Sequence, residues 1–419
     1  MLGMSQPTVY LDHAATTPLS TAAKDAITAQ LDLQGNPSSL HAAGRAVHRV
    51  VESSRERLAA ALGVHPSEVI FTSGGTEADN LALKGSYWQA VAADPARRRI
   101  VYTGVEHHAV LDTIEWLEKH EGAEPVLVPV DADGRVDLAA WEAALAAEPG
   151  RTAVATLMWV NNEVGTVQPV LQAAEIAAAH GVPLHTDAVQ AVGRVPVQLL
   201  APGIASAAVT AHKVGGPVGI GALILSRSHA PEPLLHGGGQ ERHLRSGTLN
   251  AIGAAGFAAA AEAALAALDE GALRMEALRQ RLVDGVLAGI PDAVLNGPTD
   301  PALRTPGIAH FTFPGCEGDA VLFMLDSAGI ATSTGSACSA GVTSPSHVLL
   351  AMGRDEDAAR CVQRFSLGSG TTEADIEAVL AALPAAVAAA RSAGLNGAAR
   401  TGEARTGAGR PADTLEVHA

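Results

Sequence analysis

The chain is short of the residues that mark several common protein classes. Its 419 residues include only three cysteines, Cys316, Cys338 and Cys361. Any disulfide pairing leaves one over, which argues against a disulfide-stapled scaffold and leads us to expect a reducing compartment, the cytoplasm. Aromatic residues are 3% of the sequence, so a core must be built mainly from Ala, Val and Leu. Lys plus Arg number 28 against 44 for Asp plus Glu. That acidic balance argues against direct nucleic-acid binding, and the only basic run, Arg97-Arg98-Arg99, reads as the solvated entry to an apolar strand. No basic stretch followed by an apolar core stands near the N-terminus, so no signal peptide is expected. The longest apolar stretch, 251–268, is mostly alanine and carries Glu262, which reads as a packed helix rather than a membrane span.

A 47% hydrophobic content supports a large core, and the length favours two domains, or one large domain with a smaller companion. Short apolar runs at 69–71, 100–102, 126–128, 153–160, 182–184, 205–209 and 223–225 read as strands. Helical patterns lie between several of them, at 43–62, 76–88, 138–146 and 171–180. This alternation implies an α/β fold with a mostly parallel sheet flanked by helices. In such sheets a ligand sits beyond the carboxyl ends of the strands, where His107, Asn162, Asp187 and Lys213 fall on this reading. Long Ala/Leu helices through 287 lead into a second, smaller α+β domain with a strand at 308–313 and a helix at 319–326. From 391 onward Gly, Ala, Arg and Thr dominate without periodicity, and a disordered tail is expected.

Lys213 stands at the end of an apolar strand and beside the glycine-rich run 215–221. Burial lowers a lysine pKa, and a neutral amine can form a Schiff base. Asp187 could hold a pyridinium nitrogen protonated, a pairing that pyridoxal phosphate chemistry needs. Taken alone, a snorkelling lysine and a capping aspartate explain these two residues as well. The stretch Thr72-Ser73-Gly74-Gly75-Thr76-Glu77 joins a strand to a helix and offers free N–H groups to an anion, with a plain N-cap as the alternative. His107 and His108 are read as adjacent residues at a strand end, facing opposite sides and so unable to share a metal. One of them suits stacking on a planar ring, and His108 is expected to be a satisfied interior histidine. The small-residue run 332–341 has no apolar face to bury. It leaves Cys338 in an exposed loop, as a nucleophilic or carrier thiol requires. Cys316 and Cys361 are expected to be inert packing residues. Arg364, at a strand entry, could clamp a carboxylate in bidentate fashion, or be a surface arginine.

Together the motifs Tyr-Leu-Asp-His-Ala-Ala-Thr-Thr-Pro (10–18), Phe-Thr-Ser-Gly-Gly-Thr-Glu-Ala-Asp-Asn (71–80), Glu-His-His-Ala-Val-Leu (106–111), Val-Asn-Asn-Glu-Val-Gly (160–165), Asp-Ala-Val-Gln (187–190), Ala-His-Lys (211–213), Arg-Ser-Gly-Thr (245–248), Gly-Ser-Ala-Cys (335–338) and Arg-Phe-Ser-Leu-Gly (364–368) carry a resemblance. In their order and spacing they resemble the cysteine desulfurases, of the class V aminotransferase group of fold-type I pyridoxal phosphate enzymes. The resemblance runs over about 10–383. It implies a large cofactor domain over 16–258 and a small domain from 1–15 and 259–390 that carries a cysteine loop near 332–345, leaving 391–419 as tail. It implies that Lys213 holds pyridoxal 5'-phosphate in imine linkage, Asp187 pairs with the pyridine nitrogen, and His107 stacks on the ring and assists proton transfers. Asn162 and Gln190 resemble the partners of the ring hydroxyl, with Asn162 also at the substrate. Gly75, Thr76, Thr210 and His212 resemble the phosphate cradle. Thr248 is similar to a residue that reaches the phosphate of the neighbouring subunit, which implies a homodimer. Arg364 resembles the clamp on the carboxylate of L-cysteine, and Cys338 the thiol that takes up its sulfur. Two positions depart from the family's commonest pattern, Thr210 for Ser and Gly75 for Ala. The implied partner is a sulfur-acceptor protein, for iron–sulfur cluster assembly or for tRNA or cofactor thiolation. A selenocysteine lyase, a class V aminotransferase and a non-catalytic sulfur-trafficking scaffold remain as alternatives.

Overall fold

A computed structural model describes residues 9–335, 338–339 and 342–404, with side chains over 9–335 and 344–392. In chain order its strands are β1 (Val9–Tyr10), β2 (Val69–Thr72), β3 (Arg99–Thr103), β4 (Glu124–Val128), β5 (Thr152–Thr156), β6 (Leu184–Asp187), β7 (Ile204–Thr210), β8 (Gly221–Leu225), β9 (Val294–Asn296), β10 (Ile308–Thr312), β11 (Ile330–Ala331), β12 (Cys338–Ser339), β13 (Val342–Thr343) and β14 (Val362–Ser366). Seven of them form the main sheet, in the order β2-β8-β7-β6-β5-β3-β4. Only β8 runs against the rest, antiparallel to both β2 and β7. The apolar runs are buried along their whole length in β2, β5, β6 and β8. That is the pattern of strands covered on both faces by helices.

One face is covered by the helices Gly75–Ala93 and His108–Glu121, through cores containing Leu81, Leu83, Tyr87, Val110 and Leu117. The other is covered by Ala42–Leu62, Leu138–Ala146, Val170–Ala179 and Ala251–Ala266, in a larger core of Ala, Val and Leu around Trp141 and Phe257. Alanines let Ala251–Ala266 pack closely, and nearly all of its first three turns is buried. No single helix among the described residues is long and apolar enough to cross a membrane, although the bent pair Ala251–Ala266 and Leu268–Gly289 passes by composition together.

A second core gathers where aromatics are concentrated. Phe311, Phe313 and Phe365 pack with Leu282, Val286 and Leu325 between the antiparallel sheet β14-β10-β9 and the helices Leu268–Gly289, Gly318–Ser327 and Glu373–Ala404. The start of the described chain belongs to this core, since β1 pairs in parallel with β11 and Asp12 bridges to Ser366. The chain then crosses over, with Thr17 N–H donating to the His212 carbonyl at 2.8 Å.

Two elements differ from the sequence expectation. The strand expected over 153–160 stops at Thr156, because its neighbour β6 is short and the Asn161 side chain then accepts from Glu163 and Val164 N–H to form a turn. The chain past 391, expected to be tail, continues the helix Glu373–Ala404, while 405–419 lie outside the described residues. Alanine's high helix propensity outweighs the missing periodicity.

Candidate active site

Five strand ends of the main sheet, those of β2, β3, β5, β6 and β7, deliver residues to one cavity of about 370 Å³, lined by Gly75, Thr76, His107, Asn162, Asp187, Gln190, Thr210, His212, Lys213 and Arg364 among others. These belong to motifs far apart in sequence, and a parallel sheet gathers them because each β-to-helix connection opens on the same edge.

Lys213 ends a single helical turn, Ala211–Lys213, directly after β7. Its Nζ donates to the carbonyls of Ala14 (2.5 Å) and Ala15 (2.9 Å). Burial, reinforced by the positive charges of Arg364 and Arg194, lowers its pKa to about 8. A substantial neutral fraction therefore exists near physiological pH. Asp187 closes β6, 5% exposed, and accepts from Val189 N–H at 2.9 Å. Burial raises its pKa, with His107 and Lys213 pulling the other way.

His107 and His108 are not on a strand. His107 is the N-cap of the helix His108–Glu121, its Nδ1 accepting from Ala109 N–H at 3.1 Å. That bond assigns the ring proton to Nε2. The residue lines the cavity and is exposed there; desolvation lowers its pKa while Asp187 opposes the shift. His108, expected in the interior, is partly exposed instead. It pairs with Asp112 at 3.2 Å and meets His347 edge-on, because as the first helical residue it projects toward solvent.

The helix Gly75–Ala93 begins without a side-chain cap, so its first N–H groups face the cavity unclaimed. A Cβ at position 75 would lie 2.7 Å from Val189 Cγ2, so glycine is what lets the helix start this close to the Asp187 turn. Thr210 donates its hydroxyl proton to Ile220 O (3.3 Å), and His212 Nδ1 contacts Thr16 Oγ1 (2.8 Å). Gln190 donates to Ala14 O at 2.8 Å, leaving its Oε1 buried without a partner. Asn162 lines the cavity, and its backbone carbonyl accepts from Arg364 Nη1 at 2.8 Å. Arg364, 3% exposed, is no surface residue; its Nη2 also binds Asp12 at 2.9 Å.

Thr248 is exposed and does not line this cavity, and its neighbour in sequence Arg245 instead pairs with Glu77 at 2.8 Å. The side chain of Cys338 and its neighbours at 336–337 and 340–341 lie outside the described residues. The backbone at Cys338 pairs with Thr343, and Ser333, Gly335 and His347 on either flank line the cavity. Cys316 is buried and Cys361 partly buried, and burial raises both thiol pKa values, which keeps these sulfurs unreactive.

Several residues of the site were not anticipated. Asp79, fully buried, hydrogen-bonds with His185 Nε2 at 3.1 Å, and His185 Nδ1 meets Ser206 at 2.9 Å. Burial lowers the His185 pKa to about 3, while burial and the nearby Asp187 and Glu106 raise that of Asp79 well above the usual carboxylate range. His185 and Asp187 share one face of β6 by the two-residue period of a strand, and that spacing was the available signal. Glu106 accepts from Thr103 (2.9 Å) and Met158 N–H (3.0 Å), and burial raises its pKa to about 8. The segment 10–17, noted in the sequence only as a motif, is a second source of partners. It supplies carbonyls to Lys213, Gln190 and Arg194, a carboxylate to Arg364 and a hydroxyl to His212.

The cavity lining therefore brings the cations Lys213 and Arg364 together with the buried carboxyl groups of Asp187 and Asp79, while Arg194 and Glu106 are near enough to act on Lys213 and Asp79 electrostatically. The orphaned Gln190 oxygen, the uncapped helix N-terminus and a buried carboxylate without a bonded cation fit a ligand with an anionic end, a hydroxyl donor and a protonated ring nitrogen. Lys213 stands ready to bind a carbonyl carbon.

Residues 9–379 match the family described as aminotransferase class-V. The IscS-like cysteine desulfurase of Mycobacterium tuberculosis is 54% identical over 386 residues, spanning 92% of this chain and 98% of that protein. A cysteine desulfurase of Cereibacter sphaeroides is 46% identical, spanning 90% and 95% respectively. Among solved structures, a NifS-like protein superposes with a TM-score of 0.83 at 35% identity, covering 91% of this chain and 99% of that one. SspA, solved in complex with cysteine, gives 0.73 at 30% identity, covering 86% and 99%.

Proposed function

This chain belongs to the class-V aminotransferase family and, within it, to the cysteine desulfurases, and from that premise we propose that it converts L-cysteine to L-alanine while moving the sulfur to Cys338. Enzymes of this family work with pyridoxal 5'-phosphate. In our reading Lys213 holds the aldehyde and Asp187 faces the ring nitrogen. Gln190 and Asn162 take the ring hydroxyl, His107 covers the ring, and the N-terminus of Gly75–Ala93 with Thr76, Thr210 and His212 receives the phosphate. Bound there, the cofactor supplies an electron sink for the bonds at the substrate's Cα and Cβ.

The side chains of the chain do the rest. Arg364 binds the substrate carboxylate. Lys213, with a pKa of about 8, is the base that takes the Cα proton. Asp187 retains a proton at the ring nitrogen facing it. His107, its proton on Nε2, is placed to pass a proton to or from the substrate. The Cys338 thiolate attacks the substrate sulfur. A sulfur–sulfur bond forms as the Cβ–S bond breaks, and the electron pair left at Cβ takes up a proton, giving L-alanine and a persulfide on Cys338. The persulfide's outer sulfur then passes to a nucleophile on an acceptor protein, of iron–sulfur assembly or of a thiolation route, in the cytoplasm. Thr248, exposed on its own chain, is read as completing the phosphate site of a second copy, which makes the working unit a homodimer.

The observation that carries this reading is the convergence of Lys213, Asp187, His107 and Arg364 on the cavity that the cysteine-bearing segment flanks. Its test is alanine release from L-cysteine by the purified holoenzyme and by Cys338→Ala. The variant should keep the cofactor's absorbance and lose alanine formation. Undiminished turnover would contradict the role given to Cys338.

A further inference from the structure

Arg364 is the residue assigned to the substrate carboxylate, yet its guanidinium already holds one. Nη2 lies 2.9 Å from Asp12 Oδ1, and Nη1 donates to the carbonyl of Asn162 at 2.8 Å. Nε is buried and has no partner. Arg194 and Lys213 add two more positive charges close enough to be felt electrostatically, and both are held by backbone carbonyls. Among the described residues, Asp12 is the only carboxylate in ion-pair contact with any of these three cations.

The two partners differ in freedom. The Arg364 side chain is 4% exposed and sits in β14, between β10 and the Ser333 bridge, whereas the Asp12 side chain is 21% exposed. If one member of the pair is to move, it is Asp12. The backbone around it can stay in place, since Tyr10 holds the turn through its hydroxyl on the carbonyls of Asp12 (3.2 Å) and Thr16 (2.8 Å). An arginine already neutralised by a carboxylate attracts an anion only weakly, and an incoming carboxylate must make the better pair. A bidentate contact on the two Nη groups meets that requirement against the single contact of Asp12.

We propose that Asp12 is the resident counter-ion of Arg364, that the α-carboxylate of the amino-acid substrate displaces it, and that this exchange sets both the affinity for substrate and the demand for a carboxylate. The exchange is of non-covalent partners and moves no proton or bond. It rests on the reading of Arg364 as the substrate clamp. Asp12 acts through Arg364, so it is a positioning residue. A ligand without a carboxylate, such as cysteamine, leaves the Asp12 pair intact. With Asp12 removed, the same ligand leaves Arg364 without any anionic partner.

The holoenzyme is assayed with L-cysteine and with cysteamine, unmodified and as Asp12→Asn. The KM for L-cysteine should fall about threefold or more while kcat changes far less, and the preference for L-cysteine over cysteamine in kcat/KM should rise. A raised or unchanged KM would overturn the exchange and leave Asp12 as a brace for Arg364. A crystal structure of the unmodified holoenzyme with the product L-alanine reads the same event without a variant. The Asp12 carboxylate should stand beyond 4 Å from the guanidinium, with the alanine carboxylate in its place, and an Asp12 still paired would refute displacement. If the unmodified enzyme forms no alanine from cysteine, the function itself is misassigned. If it does and Asp12→Asn raises KM, only the exchange fails.

Discussion

Two buried arginines of this protein live under opposite rules. Arg55 is fully answered by its own chain. Its Nη1 donates to Val69 O and to Glu241 Oε2, both at 2.8 Å, its Nη2 reaches Glu241 Oε1 at 2.6 Å, and Glu241 also accepts from Phe71 N–H at 2.7 Å. Burial works against the Arg55 charge, but Glu241 outweighs it and the pKa is raised. Arg194 is just as deep and has no carboxylate partner among the described residues. Its Nη2 donates to His13 O at 3.1 Å and its Nη1 to nothing, so burial and the neighbouring Arg364 bring its pKa down to about 10. Lys213, Asp187 and Glu106 share that condition. The Arg55 charge finds its partner within the fold, while the charges around the cavity are left partly unmatched. An unmatched buried charge costs stability, and it persists where something outside the chain completes it.

The Arg55–Glu241 pair also explains a local oddity. Glu241, Arg242 and His243 all have positive φ, at 47°, 57° and 66°, a conformation costing L-residues roughly 1–2 kcal/mol each. The bidentate contact of Glu241 with Arg55 and the edge strand holds this turn, which leads into Arg245 and Thr248.

Four substitutions sharpen the contrast. The largest effect is expected for Lys213→Ala, which should reduce alanine formation by about 10^4-fold or more and remove the borohydride-reducible cofactor link, while leaving the unfolding midpoint of the cofactor-free protein little changed or higher. A large loss of stability would show that Lys213 is structural. Next comes Glu241→Gln, which leaves Arg55 buried and half-paired and should lower unfolding stability by about 3–5 kcal/mol in denaturant titration. A loss under about 1 kcal/mol would erase the distinction between the two regions.

Glu106→Gln tests the unmatched carboxylates through pH. The Glu106 pKa is near 4.5 when unfolded and about 8 when folded, so the native state holds an extra proton between those values. Its ionisation therefore removes stability as pH rises from 4.5 to 8, at up to about 1.4 kcal/mol per pH unit. The glutamine, mimicking the protonated acid, should be more stable than the unmodified cofactor-free protein at pH 8 and nearly equal to it near pH 5. Parallel stability curves would contradict that assignment. The smallest effect is expected for Gly75→Ala, whose new Cβ would press on Val189. It should cost about 1 kcal/mol in stability, with Val189→Ala restoring most of it, and an additive double variant would show that the two do not touch.

The sheet was readable from the sequence because fully buried parallel strands are apolar runs, and helical stretches such as 43–62 and 138–146 alternate with them. The residues at strand ends followed from that, since Asp187 and Lys213 each stand where an apolar run breaks. What could not be read was pairing across the chain. Asp12 and Arg364 are 352 residues apart, and no local pattern links them. The same holds for the carbonyls of Ala14 and Ala15, which act through backbone atoms common to every residue. His108 was misplaced for a different reason. A strand continued through Glu106 would bury it, whereas the chain turns at Gly104 and starts a helix.

The central claim is that sulfur leaves L-cysteine for one particular thiol. Purified holoenzyme is incubated with L-cysteine, alkylated, and digested, and the peptide carrying Cys338 is weighed. The account predicts one added sulfur atom on that peptide, absent from those of Cys316 and Cys361 and removed by a thiol reductant. Alanine formation with no sulfur on Cys338, or sulfur spread equally over the three cysteines, would contradict it.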